Sequence, residues 1–181
     1  KYFTGQGAFI DGSPMLCGGL SGDPNISKQC YKLQNRTWIP TGVEMDEPGY
    51  SLGKGSVVID NKLLISGGNS IYAIGRKSSN ELMSTTEKID LPDFPQKLWL
   101  HCNVLLNKTH LMATGGTKYR DCDSKKTFIL NLETKEWMDG PEMLEKRCLH
   151  GCPKVKVGDD QEYVLLYGSV KVDSTEYLNV L

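Results

Sequence analysis

Six cysteines are the side chains in this sequence with the most chemistry open to them: disulfide formation, thiol reactivity or zinc ligation. A structural zinc site takes four ligands, usually as two close pairs. Cys148 and Cys152, separated by Leu149, His150 and Gly151, are the closest pair, and no second close pair completes a set. Zinc is therefore disfavoured and no metal is expected. Three glycosylation sequons, Asn25-Ile-Ser27, Asn35-Arg-Thr37 and Asn107-Lys-Thr109, add weight to the disulfide alternative, because sequons and bridges both belong to secreted chains. About one sequon would arise by chance in a chain of this composition.

Catalytic constellations are thin. Of the three histidines, His101, His110 and His150, two fall at equivalent places in a repeat described below, which points to a scaffold role. Ser, His and Asp all occur, but without a nucleophile-elbow pattern. No Gly-Lys-Ser or Gly-Lys-Thr follows a glycine run, so no phosphate cradle is expected. Asp159-Asp160 sits in a hairpin turn, where paired acids are ordinarily solvated. The expectation is a chain with no catalytic residue and no cofactor.

The elements that position these residues must fit into 181 residues, enough for one domain with a core of its own. A net charge of -1 and a pI near 6.3 supply no electrostatic footprint for nucleic acid. No run of eighteen apolar residues exists, so no membrane span is expected in this segment. The chain opens at Lys1 without a charged-then-apolar leader, and any targeting segment is expected to have been removed or to lie outside it.

A repeat runs through the chain. Diglycines stand at Gly18-Gly19, Gly67-Gly68 and Gly115-Gly116, at intervals of 49 and 48 residues. Each closes the same kind of segment: GAFIDGSPMLCGG from Gly7, GSVVIDNKLLISGG from Gly55 and CNVLLNKTHLMATGG from Cys102. Two apolar runs flank a polar turn in each, which predicts three β-hairpins. A fourth copy runs from Val155 to Ser169, with Tyr167-Gly168 in place of the pair. Third strands are predicted at 28–33, 86–91, 127–132 and 175–180. With Leu33, Leu91, Leu132 and Val180 in register, Trp38 and Trp137 each stand five residues after their leucine and Trp99 eight after, at the start of a fourth strand. A large ring there would fill the gap between neighbouring sheets.

An apolar hairpin ending in Gly-Gly, then a strand and a Trp, resembles the kelch repeat, which builds the blades of a β-propeller. The segment ETKEWMDGPEMLEKRCLHG, Glu133 to Gly151, matches best: Trp137, Met143, Arg147 and His150 stand where the kelch consensus has Trp, Met, Arg and His. The resemblance implies an all-β, kelch-type propeller fragment of four-stranded antiparallel blades. It covers residues 1–181 as one repeat region, in units of approximately 1–50, 51–100, 101–147 and an incomplete 148–181. Unit two departs from the pattern, with a long polar stretch before Thr86 and Trp99 almost abutting Cys102. Kelch propellers typically close with about six blades, or roughly 300 residues, so the chain is expected to be a fragment.

On such blades, loops between strands two and three emerge on the same face as loops leading into the next blade. Cys122 and Cys148 are then placed to pair across that face, and Cys17 and Cys30 across adjacent strands. Cys102 and Cys152 line neighbouring inner strands, where the Cα limit of about 7 Å makes a bridge doubtful. The sequons Asn25, Asn35 and Asn107 all fall in connections. By resemblance the same face holds a protein or peptide partner, and Arg76, Tyr119, Arg120 and Arg147, with Lys77 and Tyr50 nearby, are the candidate anchors. Three functions follow: a non-catalytic interaction module of a secreted glycoprotein; the substrate-binding part of an intracellular BTB-kelch ubiquitin-ligase adaptor; or, least favoured, a fragment of a copper enzyme similar to galactose oxidase.

Overall fold

In the computed structural model, the described residues are 5–10, 12–18, 29–44, 57–60, 62–67, 70–78, 81–82, 87–88, 91–118, 121–158, 161–170 and 172–179. They form four antiparallel sheets and, among themselves, no helix. The first sheet runs β1 (Gln6–Ile10), β2 (Ser13–Cys17), β3 (Gln29–Gln34) and β4 (Thr37–Glu44), in that spatial order. The third is its counterpart, with β10 (Cys102–Asn107), β11 (His110–Thr114), β12 (Thr127–Asn131) and β13 (Glu136–Asp139). The fourth has three strands, β14 (Lys154–Val157), β15 (Gln161–Tyr167) and β16 (Thr175–Asn179).

The second sheet departs from the predicted pattern. It contains β5 (Val57–Ile59), β6 (Lys62–Gly67) and β7 (Ser70–Ser78), and β7 also pairs with the short β8 (Glu81–Leu82) and β9 (Glu87–Lys88). The third strand is thus β7, not residues 86–91. The run Ile71 to Ile74 is apolar and rich in strand formers, and Gly67 pairs with Ser70 to start the ladder at once. Trp99 does not open a fourth strand here. It makes an isolated bridge to Thr117 of the following repeat, with paired backbone bonds of 3.0 and 2.8 Å.

Local chemistry explains the hairpins. Asn35 and Arg36 join β3 to β4 with φ of 49° and 63°, the left-handed pair that a two-residue type I′ turn requires. At the β10–β11 turn, Asn107 Oδ1 accepts from the Thr109 backbone N–H at 2.9 Å, closing the bend with a side chain.

Alternation along the strands builds three cores, each shared by consecutive sheets. Leu63 and Ile65 of β6 pack with Ile10, Met15 and Val43 of the first sheet, while Leu64 between them faces the other way. Leu64 and Val57 meet Leu111, Ala113, Phe128 and Leu130 of the third sheet, over Phe94 and Leu98 of the connecting segment. Met112, between Leu111 and Ala113, turns instead to Val164, Leu166 and Leu178 of the fourth sheet. A β-strand points successive side chains to opposite faces, so an unbroken apolar run such as Leu63-Leu64-Ile65 is what a sheet covered on both sides demands. Each fully buried aliphatic side chain contributes about 1.5–3 kcal/mol relative to exposure. Trp137 fills the space between the second and third sheets as predicted, its ring 5.0 Å from Phe94 and 6.5 Å from Phe128. Trp38, at the same place in the first sheet, is 47% exposed.

Candidate functional site

Each four-stranded sheet has two ends. The β3–β4 and β10–β11 turns lie at one. At the other lie Gly18 after β2, Gly67 at the end of β6 and Gly115-Gly116 after β11, together with the segments leading into the next sheet. Chemistry-bearing side chains concentrate at this diglycine end, and Gly115-Gly116 shows why. Both have positive φ, 61° and 96°, a region in which side-chain-bearing residues are strained. Both are also gripped. A Cβ on Gly116 would lie 2.8 Å from the Trp99 carbonyl oxygen, and one on Gly115 would meet the Arg147 carbonyl and lie 2.8 Å from His150 Cε1. The Gly116 N–H donates to the Arg147 carbonyl at 2.7 Å. The pair is thus pressed between the segment leading into its own sheet and the one leading into the next.

The residue before the second and the third diglycine latches the following sheet. Ser66 Oγ lies 2.9 Å from His101 Nε2 and accepts from Asn103 Nδ2 at 2.5 Å. Thr114 Oγ1 lies 2.8 Å from His150 Nε2 in the same relation one repeat later. Both imidazoles are buried, and Nδ1 of His150 lacks a hydrogen-bond partner. Burial lowers the pKa of His101 from 6.5 to about 4, with the Leu98 backbone opposing. Burial, then the positive charge of Arg147, then His101 lower His150 to about 3. Both rings are neutral at pH 7 and shut away from any solute, which fits them for structural latches and not for proton transfer.

Arg147 is the largest fully buried side chain of the end. Its Nε donates to Glu176 Oε1 at 2.8 Å, NH1 donates to the Gly168 and Ser174 carbonyls at 3.1 and 2.8 Å, and NH2 donates to Ser174 Oγ at 2.7 Å. The other Glu176 oxygen accepts the Leu144 N–H at 2.6 Å. The expectation that Arg147 anchors a partner is corrected by this burial: its donors are directed into the protein, where they tie the segment leading into the fourth sheet to the β15–β16 loop. Around it, Leu144 and Val170 stand 73% and 64% exposed on loops that this network holds in place.

All six cysteines are bonded. Cys17–Cys30 joins directly opposed residues of β2 and β3, Cα atoms 4.1 Å apart. Cys122–Cys148 joins the β11–β12 loop to the lead-in of the fourth sheet, Cα atoms 5.0 Å apart. Both pairings are those expected from the sequence. Cys102–Cys152, doubted above, also forms, with a Cα separation of 6.0 Å that falls within the disulfide range. The expectation placed Cys152 on a first strand, whereas it lies two residues ahead of β14.

The remaining predicted residues scatter. Asn35 and Asn107 are exposed in turns at the end opposite the diglycines. Arg76 lies on β7, its backbone paired with Leu82, and Lys77 is its neighbour on the same strand. Asn25, Tyr50, Tyr119 and Arg120 lie outside the described residues. Among the described residues no group of three or more His, Cys, Asp or Glu could hold a metal ion, and no helix is long and apolar enough to cross a membrane. The latch hydroxyls Ser66 and Thr114 and the Arg147 partner Glu176 were not anticipated. A hydroxyl before Gly-Gly in two repeats was the available signal for the first two; nothing in the sequence marks Glu176. Neither the models of known protein families nor the curated proteins contain a match to this chain.

Proposed function

We propose that this chain is a set of kelch-like propeller blades in a secreted glycoprotein, and that its diglycine end holds a protein or peptide partner without catalysing a reaction. One observation carries the proposal: exposed Leu144 and Val170 are displayed on loops fixed from beneath by the Arg147–Glu176 pair and the Cys122–Cys148 bridge. Preorganised loops bind with a smaller ordering cost than loose ones. The propeller element draws on the sheets packing in chain order and on contacts between first strands of neighbouring sheets, β5 with β10 and β10 with β14. Three disulfides fit an oxidising compartment and count against the intracellular adaptor. Asn35 and Asn107 would carry glycans at the end opposite the diglycines.

The test uses the full-length protein secreted from mammalian cells, with proximity labelling to identify its neighbours. Leu144→Ser and Val170→Ser together are expected to abolish labelling of a specific partner while leaving the unfolding midpoint unchanged. Unaltered labelling would refute the binding end. N-glycosidase is expected to remove mass from Asn35 and Asn107, and a secreted protein unmodified at both would refute the glycoprotein assignment.

A further inference from the structure

The seams between consecutive sheets follow one rule. In the second strand of each sheet, the residues two and four places before the glycine face the preceding sheet, and the residue between them faces the following one. Leu63 and Ile65 pack on the first sheet, Leu111 and Ala113 on the second, and Val164 and Leu166 on the third. The residues at the middle place, Met15, Leu64 and Met112, pack forward. The rule leaves two faces over. Pro14 and Leu16 of the first sheet face backward and Leu165 of the fourth faces forward, with no sheet among the described residues beyond either.

Both faces have the make-up of a buried seam. Strand pairing sets Phe9 opposite Pro14, Leu16 opposite Tyr31 and Leu33 opposite Trp38, all on the side of the first sheet that Met15 turns away from. On the fourth sheet it sets Val155 opposite Tyr163 and Leu165 opposite Tyr177, with Val157 on the same side. Neither set contains a charged residue. Yet Phe9 is 67% and Trp38 47% exposed, and Tyr177 is 58% and Val157 48% exposed, so the two faces do not cover each other within one molecule. Trp38 makes the contrast plain, because Trp137 at the same place in the third sheet is packed against Phe94 and Phe128. Folded monomers rarely leave contiguous apolar patches of more than about a few hundred Å² open to water.

We propose that these faces are the two halves of one more seam, made between copies of the chain: Phe9 and Trp38 of one molecule pack against Leu165 and Tyr177 of a second. The occupant is a second copy because the chain itself displays the missing half. Leu165 holds the place from which Met15, Leu64 and Met112 meet the next sheet, and Pro14 and Leu16 hold the places that receive them. A contact between two unlike faces is head-to-tail, and it either closes into a ring or runs on as a filament. Two copies of four sheets make eight, which is within the range of β-propeller rings, so two molecules close on each other through two identical contacts. The contact rests on the seam rule and not on the partner proposed for the diglycine end; only the closure draws on the propeller reading.

Sedimentation velocity of the oxidised full-length protein over a micromolar concentration series reads the association, and a dimer is the expected end point. Phe9→Asp places a carboxylate in an apolar seam and is expected to weaken association at least about thirtyfold, as is Tyr177→Asp on the other face. Both positions are exposed in the single molecule, so at dilutions where the unaltered protein is monomeric the unfolding midpoints of all three are expected to agree. A mixture of the two variants is the decisive arm. Each keeps the face that the other has lost, so together they are expected to form a dimer that neither forms alone, which also shows that both are folded. An unaltered protein that stays monomeric, polymers that grow with concentration, or variants that fail to complement each other would overturn the proposal. So would a monomer whose unfolding midpoint falls sharply with Phe9→Asp, the sign of a further sheet of the same polypeptide lying on that face.

Discussion

Arg147→Met removes a charge while retaining most of the side chain's bulk, and so isolates what the buried guanidinium does. Arg147 is fully buried and Glu176 nearly so, and the variant leaves the Glu176 carboxylate with the Leu144 N–H as its recorded donor. It also strips a donor from the Gly168 and Ser174 carbonyls and from Ser174 Oγ. Breaking a buried ion pair from one side costs about 3–5 kcal/mol. Each buried acceptor left unpaired adds up to about 1–3 kcal/mol if it finds no water. Against a total stability of about 5–15 kcal/mol, a loss of about 3–5 kcal/mol is a fifth or more of the total. The measurement is urea unfolding of the oxidised protein followed by tryptophan fluorescence. The double variant Arg147→Met with Glu176→Leu removes the stranded carboxylate, and is expected to recover about half of the loss while the two carbonyls remain unpaired. A cost below about 1 kcal/mol for Arg147→Met, or a double variant as unstable as the sum of both single changes, would refute the keystone role.

Gly116→Ala is expected to destabilise by at least about 2 kcal/mol, because strain at φ 96° is joined by collision with the Trp99 carbonyl; Gly158→Ala, at φ 69° with nothing within 4 Å, is expected to cost about 1 kcal/mol. Thermal melts of the two variants decide this, and similar midpoints would show that the grip on the diglycine is unimportant. Replacing Cys102 and Cys152 by Ser opens a bridge across a sequence separation of 50 and is expected to cost about 4 kcal/mol, against about 3 kcal/mol for Cys17 and Cys30 at a separation of 13. Chemical denaturation checks the order, and the reverse ranking would contradict the loop-entropy account.

How much of this was legible in the sequence depended on the range of the interaction. Hairpins at Gly7, Gly55 and Cys102 were readable because a turn residue such as Gly12 or Asn107 acts within two or three positions of itself. The second sheet was misread because a leucine register, Leu33 with Leu91 and Leu132, was imposed across a repeat in which Ser70–Ser78 already supplies the third strand. A local apolar run beside Gly67 outweighed a distant alignment. Arg147 was recognised by residue type, but its burial hinges on Glu176, a partner 29 residues away. Cys102–Cys152 failed for the related reason that separations between sheets are set by core packing, which strand order alone does not report. The Cys17–Cys30 pair was legible because it lies within one sheet, where strand pairing fixes the distance.

The diglycine repeat acquires a physical reason from these contacts. A sheet of three or four strands cannot cover both of its faces, so each repeat must be completed by its neighbour. The third sheet supplies a hydroxyl, Thr114, and a surface without side chains, Gly115-Gly116; the lead-in of the fourth supplies an imidazole, His150, and a carbonyl, that of Arg147. Neither half is satisfied alone. An isolated third sheet would expose its bare glycines, and the isolated lead-in would carry a guanidinium that finds its acceptors only on the β15–β16 loop and β16. Stability in this stack is therefore held at the seams as much as within the sheets.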